Sequence, residues 1–286
     1  MKKEKSTEVE NLGVPNIRNS TMEQKDEQNS NKKPEKVTRY CKNCGEPNEK
    51  EVFEKMFDNW YTVHSFCKCE KEAEFKRKMN VLIKNSLLGE RYKNVSFENS
   101  KTSINPTFDI AFNRCKKYCE IYKTVKENGI GIYLFGPSGV GKTHITACMA
   151  NELIKNLVSV LFTNLFEISK AVKSTFNKDS KQTEQKLIDQ FSNIEFLFMD
   201  DLGAEIFTRN QEDNWLQSLL FDLINKRYNA KLPTIFSSNY SLNELINQRQ
   251  LSKRTISRIT EMTKGAVMKI EGKDLRNSIN SENLGF

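Results

Sequence analysis

The chain has 286 residues, 37% of them hydrophobic and 29% charged, and its 45 Lys and Arg against 37 Asp and Glu leave a net charge of +8. That length holds one good-sized domain with appendages, and so low an apolar fraction leaves part of the chain unable to pack. No apolar run approaches the roughly 18 residues that cross a bilayer, and the Lys-rich start lacks the apolar segment of a secretory signal, so the expected compartment is the cytoplasm and no membrane partner is expected.

The basic surplus favours an anionic partner, nucleic acid being the usual one, although a diffuse excess of Lys is also common in proteins without one. Residues 1–38 are Lys, Glu, Asn, Ser and Gln with almost nothing apolar. They bury too little surface to offset the entropy of ordering, which predicts a disordered tail.

Residues 39–75 change character. Cys41-x-x-Cys44 is followed, 22 residues later, by Cys67-x-Cys69. Four thiolates suit tetrahedral Zn²⁺, and a short Cys-x-x-Cys turn places two sulfurs on one metal. Phe53, Phe57, Trp60, Tyr61 and Phe66 would supply the core of such a knuckle. The second pair has one intervening residue rather than two, and His64 is an alternative ligand. A site with four protein ligands is structural, because no position is open for catalysis.

A charged helical segment (Lys71 to Leu88) then leads into a polar, Pro-containing stretch, so 76–107 reads as a linker with an anchoring turn. From Phe108 to Glu127 the apolar residues recur at helical spacing, and Cys115 and Cys119 on that stripe read as core.

The run Ile130 to Phe135 is apolar, β-prone and of strand length. Next comes Gly136-Pro137-Ser138-Gly139-Val140-Gly141-Lys142-Thr143, two glycines bracketing four residues and followed by Lys and a hydroxyl. Glycines let successive N–H groups turn inward toward phosphate oxygens, the Lys adds a point charge, and the Thr hydroxyl suits Mg²⁺. A helix opening at Lys142 directs the positive end of its dipole at the same anion. Strand, loop and helix come in the order a nucleotide site requires.

Strand and helix alternate from there on. Strands are expected at Val158–Thr163, Ile194–Met199 and Thr234–Asn239, and helices at 165–176, 183–191 and 213–228. Alternation of this kind implies a parallel sheet with helices on both faces, with ligands at the carboxyl ends of the strands. Asp200 and Asp201 end one strand there. Asp200 is placed to hold Mg²⁺ through water and Asp201 to orient or deprotonate the attacking water, with Glu205 as an alternative base. Asn239 ends the next strand and can reach the γ-phosphate or that water. Arg254 and Arg258, four apart, share a helix face, and either a basic DNA-facing helix or an arginine finger for a neighbouring subunit fits them. Arg276 is equally ambiguous alone, and Lys253, Lys264, Lys269 and Lys273 are candidates for phosphate contacts.

From about Tyr92 to Arg276 the sequence resembles the AAA+ ATPases of the DnaC/DnaI helicase-loader group and the related IstB transposition helpers. Gly-Pro-Ser-Gly-Val-Gly-Lys-Thr-His (136–144) and Phe-Met-Asp-Asp-Leu-Gly-Ala-Glu (198–205) look like its nucleotide motifs, and Pro-Thr-Ile-Phe-Ser-Ser-Asn-Tyr (233–240) like its sensor strand. The resemblance implies a P-loop AAA+ fold, a three-layer α/β/α parallel sheet at 108–286 behind a small zinc-binding domain. It also implies ATP and Mg²⁺ bound at 136–144, His144 included, with Asn239 as first sensor, Arg258 as finger and Arg276 as second sensor. Asp201 stands where many AAA+ proteins carry Glu, and its shorter side chain implies slow hydrolysis. The cysteine-rich module looks like the helicase-binding domain of DnaI-type loaders. The partners so implied are a DnaB-type replicative helicase, single-stranded DNA and, with ATP bound, further copies of the chain. A transposition helper and a non-hydrolysing nucleotide-gated adaptor are the competing functions.

Overall fold

A computed structural model describes residues 38–56, 59–101, 104–176, 183–204 and 211–278. The expected tail therefore lies outside the described residues except for Thr38, as do Phe57 and Glu205. The chain divides into two units, 1–81 and 82–286.

In the first unit, β1 (Thr38–Tyr40), β2 (Pro47–Met56) and β3 (Asn59–Phe66) form an antiparallel sheet in the order β1-β2-β3. The turn between β1 and β2 is closed by Cys41 N–H to Glu46 O at 2.8 Å and Gly45 N–H to Cys41 O at 2.9 Å. Gly45 takes φ +71°, a left-handed value that a side chain would strain. His64 lies in β3, opposite Glu51 of β2. Helix α1 (Lys68–Asn85) follows and carries the chain across the division between the units.

The second unit is a five-stranded parallel sheet clothed by helices. In chain order it contains α2 (Pro106–Glu120), α3 (Tyr122–Glu127), β4 (Ile132–Phe135), α4 (Lys142–Lys155), β5 (Val160–Thr163), α5 (Leu165–Ser174), α6 (Glu184–Asn193), β6 (Phe196–Met199), α7 (Gln211–Asn229), β7 (Thr234–Ser238), α8 (Leu242–Asn247), α9 (Lys253–Met262) and β8 (Val267–Lys269). The strand order is β5-β6-β7-β4-β8. Helices start where capping residues permit: Asn105 accepts from Phe108 N–H with Pro106 in the first turn, and Ser241 and Glu244 form a reciprocal capping box on α8.

Both faces of the sheet are buried, as parallel strands require. Ile132, Leu134, Phe196, Phe198 and Ile235 pack with α2 and α4 on one side. Tyr133, Leu197, Met199 and Phe236, the alternate positions, pack with α5 to α9 on the other. Cys115 and Cys119 are buried on the α2 side, as their helical spacing predicts, and burial pushes both thiols up.

The stretch expected to be a linker contributes to this core. Leu82, Leu88 and Phe97 are buried in it, and Phe97 meets Phe112 edge-on with ring centroids 5.1 Å apart. Ser86 O accepts from Phe162 N–H at 2.6 Å.

Among the described residues the largest fully buried side chain is Arg227, near the end of α7. Its guanidinium donates to Thr234 Oγ1 (2.9 Å) and to the carbonyls of Ser192 (3.1 Å), Ile194 (2.8 Å) and Pro233 (2.6 Å). It thus ties α6, α7 and the start of β7 together. Burial pulls it down to about 9, so it remains charged at neutral pH among carbonyl dipoles.

Candidate functional site

The carboxyl ends of β4, β6 and β7 converge at the opening of α4. β4 delivers the phosphate loop, and β8 runs parallel to it on its other side. Gly136 is required by close approach: a Cβ there would sit 1.9 Å from Ile270 O. Gly141, at φ +97°, is the left-handed residue that turns the loop into α4, and a Cβ on it would meet the Phe108 ring at 2.7 Å.

Lys142 opens α4 buried. Its ammonium donates to Gly136 O (2.8 Å), Pro137 O (2.7 Å) and Asn239 Oδ1 (2.8 Å), so all three protons are engaged. Burial lowers its affinity for a proton, while Asp201 and Asp200 oppose that shift. Thr143 Oγ1 lies 3.2 and 3.1 Å from the two oxygens of Asp200. Ser237, inside β7, donates a short hydrogen bond to Asp200 Oδ1, and its Oγ also accepts from Asp201 N–H at 3.1 Å. Burial raises the Asp200 carboxyl above the usual range, with the Asp201 charge adding to the shift and the hydroxyls of Ser237 and Thr143 opposing it.

Asp201 is exposed with φ +51°, an unusual value for a residue with a side chain. Leu202 N–H to Ser237 O (2.8 Å) and Ser238 Oγ to Leu202 O (2.6 Å) fasten the following turn to β7. These contacts let the chain turn sharply enough to present two adjacent carboxylates differently, one half-buried against Thr143 and one facing solvent.

Of the other expected loop contacts, Val140 is buried in the core and offers a ligand only its backbone. Ser138 Oγ accepts from Arg276 Nη2 at 3.1 Å, which brings Arg276 onto the loop. The His144 ring is engaged elsewhere: Nε2 lies 2.7 Å from Ser100 Oγ, and burial with the Arg91 charge keeps the imidazole below its ordinary value. What His144 offers a phosphate is the N–H of the first turn of α4. Arg258 does not reach the loop's own residues. It stacks over the Tyr228 ring at 4.3 Å, with Nη1 3.9 Å from Glu261 Oε2. Arg254 is exposed and has no ionic partner among the described residues.

Ser237, Asp274 and Arg227 escape the sequence reading. Ser237 had one available signal, a small hydroxyl two residues before the strand-ending Asn239.

The first unit gathers its thiols. The sulfurs of Cys41, Cys44 and Cys69 all lie within 4.8 Å of one another, and the Cys67 thiol interacts with those of both Cys41 and Cys44. The backbone amides of Asn43 and Cys44 hold Cys41 down at about 7. The Glu46 amide favours the Cys44 thiolate too, but burial and the neighbouring thiols push it up to about 12. One thiolate suppressing the next is what a cation would relieve. Four sulfurs so placed fit a tetrahedral Zn²⁺, which would supply a structural cross-link between the β1–β2 turn and the start of α1.

The family described as IstB-like ATP binding protein matches residues 68–282. The replicative helicase loader DnaC of Escherichia coli strain K12 is 27% identical over 169 residues, which cover 59% of this chain and 64% of that protein. The replicative helicase loader DnaI of Bacillus subtilis strain 168 is 26% identical over 189 residues, covering 66% of this chain and 58% of that one. The matches thus span less than two thirds of either relative. A crystal structure of DnaI superposes with a TM-score of 0.51 at 26% identity, covering 66% of this chain and 94% of that chain. A crystal structure of the DnaC helicase loader, at 23% identity and a TM-score of 0.52, shares the fold over 64% of this chain and 99% of that chain. Among the described residues no helix is long and apolar enough to cross a membrane.

Proposed function

Since the chain belongs to the family of IstB-like ATP binding proteins, in its DnaC/DnaI-type AAA+ branch, we propose that it loads a DnaB-type replicative helicase onto single-stranded DNA, with ATP as the switch. The observation that carries this reading is the pairing, in one chain, of a complete phosphate-loop constellation with a separate four-thiol unit.

In this reading ATP lies along 136–144 with Lys142 on its terminal phosphates. Thr143 and Asp200 hold Mg²⁺, which would neutralise the phosphates and the raised Asp200 carboxyl together. Asp201 orients the attacking water and Asn239 senses the terminal phosphate. Arg258 of a neighbouring copy completes the site, and with Asp rather than Glu as base, turnover is slow. The zinc-bearing unit grips the helicase.

An aromatic surface formed by α5, the residues just past it and α7 supports the single-stranded DNA part of this reading. Phe166 and Phe176 are 62% and 56% exposed, Phe176 meets Trp215 edge-on at 6.0 Å, and Lys173 lies 5.3 Å over the Trp215 ring. Aromatic faces flanked by Lys stack bases without reading sequence. A transposition helper would use the same nucleotide site but leave the thiol cluster without a part.

The test is co-purification of the full chain with a replicative helicase in the presence of ATP. Capture that requires nucleotide and is lost on Cys41→Ser with Cys44→Ser supports the loader. No capture under any nucleotide condition overturns it.

A further inference from the structure

The segment leaving β8 runs past the phosphate loop and is fastened to the end of β4, the start of α2 and the loop itself. Ile270 N–H donates to Phe135 O at 2.7 Å, Glu271 N–H to Thr107 Oγ1 at 2.9 Å, and Leu275 N–H to Gly139 O at 3.1 Å. Asp274 lies between the last two fastenings. Its carboxylate rests directly on the crest of the loop: a Cβ added to Gly139 would fall 2.0 Å from Asp274 Oδ1 and 2.1 Å from its Cγ. That carboxylate also holds Arg276, accepting from its N–H (2.9 Å) and Nε (3.0 Å) at Oδ1 and from Nη2 (2.9 Å) at Oδ2.

An acid on a loop built to receive anions runs against the site's own chemistry, because inward N–H groups and a helix N-terminus both favour negative charge. Here the acid neutralises the very cation, Arg276, that leans on the loop through Ser138. The two side chains remain 31% and 57% exposed, so the pair is weak and exchangeable rather than a buried fixture.

We propose that Asp274 is an internal competitor of the nucleotide's phosphates, holding Arg276 on the loop until a polyphosphate displaces it. A phosphate chain long enough to reach Arg276 exchanges one anion for another and gains a charge-assisted bidentate partner. A shorter one does not reach Arg276 and leaves the Asp274–Arg276 pair in place, so the pair discriminates by phosphate number. This rests on the reading of 136–144 as a nucleotide site.

The experiment measures affinities of the full chain for fluorescent ADP and for a fluorescent, non-hydrolysable β,γ-methylene ATP. It compares wild type, Asp274→Asn, Arg276→Ala and the double variant. Asp274→Asn tightens the triphosphate analogue about three- to fivefold, the scale of one exposed ion pair, and the gain disappears when Arg276 is also removed. Asp274→Ser, which removes the charge with a different shape, shifts affinity in the same direction. Unchanged or weaker triphosphate binding in both Asp274 variants overturns the proposal, as does a gain that persists without Arg276. Wild type that binds neither nucleotide overturns the nucleotide site itself, an outcome distinct from either.

Discussion

The Lys142 ammonium donates to Asn239 Oδ1 at 2.8 Å, linking the first residue of α4 to the end of β7. Its remaining protons go to the carbonyls of Gly136 and Pro137, which the same loop supplies. The loop therefore satisfies its own cation with its own carbonyls. Phosphate oxygens are stronger acceptors than carbonyls, so in the proposed function nucleotide would draw the ammonium away and free Asn239. Lys142→Ala should lower ATP affinity at least about a hundredfold, the loss of two charge-assisted hydrogen bonds. Titration with a fluorescent nucleotide measures this, and retained affinity would remove the site from 136–144.

Asp200 gives a pH prediction with a definite sign. Its carboxyl is raised by burial above the usual carboxylate value. Between the unfolded value and the raised one, the folded chain holds more protons than the unfolded chain. Stability from this group therefore falls as pH rises through that window, and the full penalty stands at neutral pH. Asp200→Asn should raise the metal-free chain's stability at neutral pH by about 1 kcal/mol, roughly 2–4 °C in Tm, with the gain shrinking toward about pH 4. The same variant should lose any Mg²⁺-dependent stabilisation by ATP. Melting curves at both pH values, with and without Mg-ATP, check both halves.

The thiol cluster makes a separable prediction. Metal analysis should find about one zinc per chain, lost in Cys41→Ser with Cys44→Ser and on acidification, since protons compete with the ion for the thiolates. Nucleotide affinity at 136–144 should be unaffected, because the two features lie in different units. A folded, metal-free wild type would return these residues to ordinary cysteines.

The sequence carried the site better than the fold's edges. Lys142, Thr143, Asp200 and Asn239 were legible because each stands at the end of an apolar strand, or just past a glycine loop, where a polar residue has little other reason to be. β8 was not, since Val267–Lys269 is three residues long with only Met268 buried, too short for an alternating pattern to register. The packing of Leu88 and Phe97 was hidden because Phe97 stands between Ser96 and Glu98 and no period links it to Leu88. Strand order, β5-β6-β7-β4-β8, depends on helix packing far along the chain and has no local signature.

Arg227 is the clearest illegible residue. A cation in the last turn of a helix reads as a solvated complement to the helix dipole, yet this one is fully buried and satisfies carbonyls from two segments, the end of α6 and the approach to β7. Arg227→Ala should destabilise the chain by about 3–5 kcal/mol, through the cavity and the carbonyls left without donors. Arg227→Lys, which keeps the charge but not the fork, should recover less than half of that. Chemical denaturation measures both. A loss under about 1 kcal/mol would mean that water satisfies those carbonyls instead.

The surroundings of Arg258 suit the role proposed for it toward a neighbouring copy. It stacks on Tyr228 with its side chain still 37% exposed, and Glu261 is a loose partner at 3.9 Å that is itself shared with the Tyr228 hydroxyl at 2.7 Å. A guanidinium kept flat against an aromatic ring loses little further entropy when a phosphate from another copy approaches. Arg258→Ala should therefore leave the ATP affinity of the isolated chain unchanged while lowering turnover in an assembled state by about 10³-fold, the lower end of what such a residue contributes in trans. Mixing this variant with Lys142→Ala is the decisive measurement. If the arginine acts across an interface, Lys142→Ala copies donate intact fingers to Arg258→Ala copies, and the mixture regains activity that neither has alone. Turnover by Arg258→Ala alone that matches wild type would place Arg258 outside the reaction and leave Arg254, exposed one turn earlier on α9, as the residue to test next.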